Sequence, residues 1–311
     1  MAVRDLILLF DGTWNAAEDE DNNQTNVEKI YRLLPDSCVK CVHYEEGVGT
    51  KSGEAILGGV FGAGIDDRIL GAYRFLQSKY SEDGFENRLF IFGFSRGAYT
   101  ARTFAQLLAF SGVPPKGGRT QKGWDCYFRQ DEDAAKKLRE KNRFLDVSIE
   151  VLGLWDTVKS TLDQDRKDRT LYPNVKAAYH AMSIDEKRLT FPVLQFDDDP
   201  RIAQVWFAGV HSDVGGGYKA EQAGLADITL AWMVKAAETH GMVFIDDYMD
   251  YLAPDPAGDI HNSYSGIWKA LGDSTREIGA DEKVHVSVRA RLGAQVDYHP
   301  PNLPSEPCYV G

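Results

Sequence analysis

The sequence predicts an α/β domain with a mostly parallel central sheet and helices on both faces, and three observations carry that prediction. Apolar runs recur at LILLF (6–10), VKCVHY (39–44), RLFIFGF (88–94), IEVLGLW (149–155) and QVWFAGV (204–210), each followed within three residues by Gly, Asp, Ser or His. Three of them are nearly unbroken, the pattern of parallel strands covered on both faces. Segments of helical period lie between them, and strands alternating with helices build a parallel sheet.

Taken in order, LILLF opens the sheet and meets Asp11 and Gly12 at its end. NVEKIYRLL (26–34) sets Val27, Ile30, Tyr31 and Leu34 on one helical face, and DDRILGAYRFLQSKY (66–80) does so with Ile69, Tyr73, Leu76 and Tyr80. VKCVHY is read as the next strand; Cys38, just before it, and Cys41 are taken as strand cysteines if the strand spans 38–44, since positions three apart on a strand face opposite ways. RLFIFGF runs into GAYTARTFAQLLAF, a helix with Ala98, Ala101, Phe104, Ala105 and Leu108 at helical spacing. The segments 114–145 and 159–203 are too long for simple crossovers and are expected to contribute cap insertions over the sheet edge. ADITLAWMVKAAETHG (226–241) is the last long helix, and the Gly-, Pro- and Asp-rich remainder is expected to wrap the same domain as loops. The whole of 1–311 is read as one domain.

Bulk properties narrow the function. A net charge of −12 argues against a phosphate-backbone partner and gives no steering toward anionic lipid. The run MAVRDLILLFDG is too short for a signal-peptide core or a membrane span, so the expectation is cytoplasmic synthesis without Sec export and without stable membrane insertion. Signal-less secretion would leave no trace of this kind. Four cysteines make no disulfide framework in a chain of this size, and no cofactor or metal signature is present.

Chemistry in such a sheet collects where strands end. Gly93-Phe94-Ser95-Arg96-Gly97 stands between an apolar strand and an amphipathic helix, the setting of a nucleophile elbow. Glycines two before and two after the serine keep side chains from colliding with the sheet and the incoming helix. A serine needs a base, and the base an orienting acid. Asp156 follows IEVLGLW, and His211 follows QVWFAGV with Gly215 to Gly217 beyond it. His285 in EKVHVSVRARL, with Val284, Val286 and Val288 alternating as in a strand, is the rival base. The oxyanion donors are expected to be backbone N–H groups of Arg96 and of Gly12 or Thr13. Asp11, Asp156, His211 and Asp213 could alternatively hold a divalent metal, and a catalytically silent binding module is the third reading. His180 sits in a helical pattern and is expected to pack or cap, while the apolar, glycine-rich 55–65 could form a lip admitting an acyl chain.

LFDGTWN, GFSRGAYTAR, GLWDTV, HAMSIDEKR and WFAGVHSDVGGGY together resemble the DUF2235 family, the Tle1-like catalytic domain of bacterial type VI lipase effectors. The resemblance implies an α/β-hydrolase fold and a triad at Ser95, Asp156 and His211. It implies ester hydrolysis through an acyl-enzyme by a serine esterase or lipase, with phospholipid acyl esters as the effectors' substrate. An immunity or secretion partner follows only for an effector.

Overall fold

The computed structural model describes residues 2–12, 23–47, 65–80, 84–159 and 169–311. Thr13 and most of the expected 55–65 lip lie outside them.

Alternation along the first strand shows how the layers form. In β1 (Ala2–Phe10), Leu6, Leu8 and Phe10 enter one core with Ile69, Tyr73 and Leu76 of α2 (Ile65–Lys79) and Ala98, Ala101 and Phe104 of α3 (Arg96–Ser111). Ile7 and Leu9 enter the opposite core with Val27 and Ile30 of α1 (Asn26–Arg32). A strand apolar on both faces thus buries each face against helices. β2 (Val42–Glu45), β3 (Phe85–Phe94) and the helices α4 (Thr120–Arg129) and α5 (Glu132–Asn142) follow. Then come β4 (Ile149–Trp155), β5 (Val175–Ser183), β6 (Ile202–Phe207) and the short α6 (His211–Gly215). α7 (Gly224–Thr239) supplies Leu230, Met233 and Val234 to the core beneath α1. The chain closes with α8 (Ile267–Ala270), β7 (Lys283–His285), α9 (Val286–Ala294) and β8 (Cys308–Val310).

The strands form one sheet in the order β2-β1-β3-β4-β5-β6-β7-β8, with every pairing parallel. Winding reverses at β1, which has β2 on one side and β3 on the other, so the crevice beyond the carboxyl ends of β1 and β3 is the topological switch point. Asp11, Gly12 and Ser95 stand there. Among the described residues no helix is long and apolar enough to cross a membrane.

Several expectations are corrected. Residues Asp36–Cys41 form a 3₁₀ turn and the strand starts only at Val42, because Pro35 fixes an extended φ and Asp36 and Ser37 favour a turn. Cys38 and Cys41 still pack toward opposite faces of the sheet. The 159–203 segment is no mere insertion, since it contributes β5 between β4 and β6. Its AAYHAMS reads as helix because alanine is the best helix former, but here burial between two strands decides. The segment 114–145 does not cover the carboxyl edge. Tyr127 donates to Gln106, Arg139 to the Ala109 carbonyl, and Gln77 to the Pro115 and Gly118 carbonyls. These bonds fasten α4 and its flanks to the ends of α2 and α3 far from Ser95. The tail, expected as loops, adds two strands and two helices.

Candidate active site

Ser95 occupies the turn between β3 and α3 at φ 59° and ψ −124°, strained for a residue with a Cβ. The surroundings over-determine it. The Ser95 N–H donates to the Trp155 carbonyl at 2.9 Å, which continues the β3–β4 ladder through the turn. A Cβ on Gly97 would lie 2.1 Å from the Phe10 carbonyl oxygen, and one on Gly93 would lie 2.6 Å from the Gly97 carbonyl oxygen. Only glycine at both positions lets α3 leave so close above β1 and β3.

Asp156 ends β4 at φ 40°, and its N–H donates to the Ala181 carbonyl at 2.7 Å. His211 opens α6 after β6. These strand ends bring the three expected residues together. His211 Nε2 lies 2.8 Å from Ser95 Oγ, and His211 Nδ1 lies 2.5 Å from Asp156 Oδ2. With Nδ1–H donated to the carboxylate, Nε2 is left to accept the serine hydroxyl. The imidazole is fixed from both sides, 4.7 Å from the Phe94 ring and edge-on at 5.1 Å to Phe191. A Cβ on Gly215 would strike Phe94 at 1.9 Å, so the glycines after His211 let α6 close over that ring.

The electrostatics follow from burial and pairing. Burial lowers the His211 pKa, and the Asp156 hydrogen bond and charge only partly offset this. Burial opposes the charge of Asp156, but Arg276 and His211 more than reverse that and hold the carboxyl well below its usual range. Burial likewise opposes the charge of Glu186, yet the Arg188 fork lowers it to about 2. Glu186 Oε2 accepts from the His211 N–H at 3.2 Å, which fixes the start of α6.

Other expected residues are placed differently. Gly12 does lie against the elbow, where a Cβ would stand 3.5 Å from Ser95 Cβ, but its N–H donates to Asp11 Oδ1 at 2.6 Å. Asp11 also accepts from Thr25 and Tyr44, and burial raises its pKa to about 6 despite those bonds. Asp213 turns to the Val210 N–H and to His261. Of the four members of the metal reading, Asp156 and His211 engage each other while Asp11 and Asp213 turn to other partners, and among the described residues no three His, Cys, Asp or Glu converge as ligands. His285 caps α9 through the Ser287 N–H and stacks on Phe207 at 4.6 Å, with its pKa pushed down to about 4 by burial. Its strand ends there, because the valines after it continue as α9. His180 is a strand residue whose Nε2 accepts from the Thr157 N–H at 3.1 Å; burial lowers it to about 3.

Sequence reasoning missed the groups around Asp156. Its Oδ1 accepts from the Ser183 N–H at 2.9 Å and from Arg276 at 2.6 Å, and its Oδ2 accepts from Arg276 at 2.9 Å. Ser183 and Glu186 fall in the HAMSIDEKR block, so a signal existed for them. Arg276, in GDSTREIG, had none.

A family model described as T6SS, Phospholipase effector Tle1-like, catalytic domain matches residues 4–236. The uncharacterised protein YEL023C of Saccharomyces cerevisiae is 30% identical over 241 residues, 65% of this chain and 34% of the yeast protein. A crystal structure of an uncharacterised protein from Pseudomonas aeruginosa superposes with a TM-score of 0.50 and 17% identity, over 96% of this chain and 52% of that one. The structure of the Tle1 effector bound to the VgrG spike of the type 6 secretion system matches with a TM-score of 0.38 and 20% identity, over 72% of this chain and 53% of the effector chain. The chain therefore spans about a third of the yeast protein and about half of each structural neighbour. With an all-parallel sheet flanked by helices and a family match running from residue 4 to residue 236, this chain belongs to the Tle1-like phospholipase effector catalytic domain family.

Proposed function

We propose that the chain is a serine hydrolase that cleaves carboxylic esters, with phospholipid acyl esters as its substrate class. The observation that carries this reading is the hydrogen-bonded line Ser95 Oγ–His211 Nε2, His211 Nδ1–Asp156 Oδ2, set on a strained elbow at the switch point. His211 Nε2 takes the Ser95 proton as Oγ attacks the ester carbonyl carbon. Asp156 keeps the imidazole in the right tautomer and stabilises the imidazolium. The oxygen that becomes anionic faces the start of α3, where first-turn N–H groups including that of Arg96 point outward and the helix dipole favours negative charge. His211 then returns the proton to the leaving alkoxide, leaving an acyl group on Ser95. Water, deprotonated by the same nitrogen, releases the acid and restores the serine.

A phospholipid fits the local charge better than the overall charge suggests. Arg96 is next to the nucleophile, and burial together with the nearby charge of Arg68 lowers its pKa to about 10. The Arg96 guanidinium, with that of Arg68 close enough to act on it and itself facing the charges of Glu45 and Asp11, offers a cationic partner beside the nucleophile for an ester that carries a phosphate. The Gly12 N–H joins the oxyanion donors only by exchanging Asp11 for the substrate oxygen.

A panel of p-nitrophenyl esters and phospholipids, with Ser95→Ala as control, tests the reading. Turnover of acyl esters is expected, with kcat/KM reduced by about 10³-fold or more in Ser95→Ala. Equal activity in Ser95→Ala contradicts it.

A further inference from the structure

We propose that Arg276 is a positioning residue of the relay: its guanidinium forks onto both oxygens of Asp156 and balances that carboxylate's charge, so that His211 is held in line with Ser95 and remains an unprotonated base. The inference rests on the hydrolase reading above and goes beyond it, since Arg276 lies outside the matched 4–236 segment.

The side chain is buried, 5% exposed, and divides its bonds between Asp156 and the two residues beside the relay, Ser183 and Phe191. Nη1 donates to Asp156 Oδ1 at 2.6 Å, to the Ser183 carbonyl at 2.9 Å and to Ser183 Oγ at 2.6 Å. Nη2 donates to Asp156 Oδ2 at 2.9 Å and to the Phe191 carbonyl at 2.9 Å. The Ser183 N–H closes the set on Oδ1. Each carboxylate oxygen therefore has a fixed role, with Oδ2 alone presented to His211. Phe191, held from its carbonyl by Arg276, is the same ring that packs edge-on against His211. Asn302 accounts for the Arg276 backbone by donating to its carbonyl at 3.0 Å, so the tail is built to deliver this side chain.

The charge consequence follows from the same distances. A lone buried carboxylate beside an imidazole favours the imidazolium. A carboxylate already paired with a guanidinium offers much less of that attraction. The other groups facing His211 are Glu186 and Arg188 from the loop after β5, themselves a pair. Asp213 on its own helix is engaged by His261. On the β5 side of Asp156, His180 is neutral above about pH 3 because of its burial, and Arg102 from α3 acts on it. Burial lowers the proton affinity of His211, and the pairing of Asp156 with Arg276 limits how far the carboxylate offsets that effect.

The test compares pH profiles of kcat and kcat/KM on a short p-nitrophenyl ester for wild type, Arg276→Lys and Arg276→Met. Arg276→Lys keeps a charge but loses the fork. Its kcat is expected to fall about tenfold or more with KM within about threefold, its acid limb staying near that of wild type. Arg276→Met is expected to move the acid limb upward by about one pH unit or more, because Asp156 then attracts the imidazolium in full. Should Arg276→Met not fold, Arg276→Lys decides alone. Wild-type kcat in Arg276→Lys, or an unmoved acid limb in folded Arg276→Met, overturns the role. Ser95→Ala in the same assay separates the two claims. Full activity there removes the hydrolase reading, whereas an inactive Ser95→Ala with an unmoved limb removes only the role of Arg276.

Discussion

In the proposed reaction His211 must be neutral to take the serine proton, and burial favours its neutral form. The sign follows directly. A base whose pKa is lowered keeps its lone pair as pH falls through the ordinary histidine value of about 6.5 and loses it only below that. The acid limb of kcat/KM is therefore expected below about pH 6.5, and a limb at or above that value contradicts the environment described for His211. At this scale the sequence was legible where a residue ends an apolar strand: Ser95, Asp156 and His211 all do. It was not legible for Arg276, because nothing about an arginine in a loop reveals which distant carboxylate it will meet. Gly12 shows a third situation. Its position beside Ser95 followed from its strand end, but the capture of its N–H by Asp11 is a matter of local rotamer that no spacing encodes.

Among the elements, the elbow is where backbone and chemistry are most tightly coupled. α3 can start directly above β1 only because Gly97 has no side chain to meet the Phe10 carbonyl. Gly97→Ala forces backbone against backbone, with no flexible side chain to move aside. It is expected to destabilise the protein by about 3 kcal/mol, within the range of overpacking substitutions, and to lower activity even in the folded fraction. Denaturant unfolding monitored by circular dichroism measures the first effect, and unchanged stability contradicts the packing described. The five apolar runs were legible as strands because β1, β3 and β4 carry apolar residues on both faces. β5 was hidden by alanines that suit a helix equally well, and β7 and β8 by their length of three residues each. His285 looked like a strand residue because valines alternate around it, yet the strand stops at His285, and in α9 Val286 faces outward while Val288 is buried. Short segments of mixed propensity take their form from what they pack against.

The whole molecule combines an acidic exterior with a site whose charges are paired internally, Asp156 with Arg276 and Glu186 with Arg188, while Asp213 is hydrogen-bonded to His261. The chain achieves this by drawing on its full length. β1 and β3 form the crevice, β4 and β6 lead to Asp156 and His211, and the segment after α7 returns with Arg276. The fold class was legible from the alternation of strand and helix, whereas the closure of the site by the tail required long-range contacts that no local pattern records. The measurement that tests the central claim most directly is covalent labelling by a fluorophosphonate, followed by peptide mass mapping. The expected result is a single adduct on Ser95, absent in Ser95→Ala and formed about 10³-fold more slowly or worse in His211→Ala. An adduct on another residue, or labelling at the wild-type rate in either variant, contradicts a nucleophilic Ser95 activated by His211.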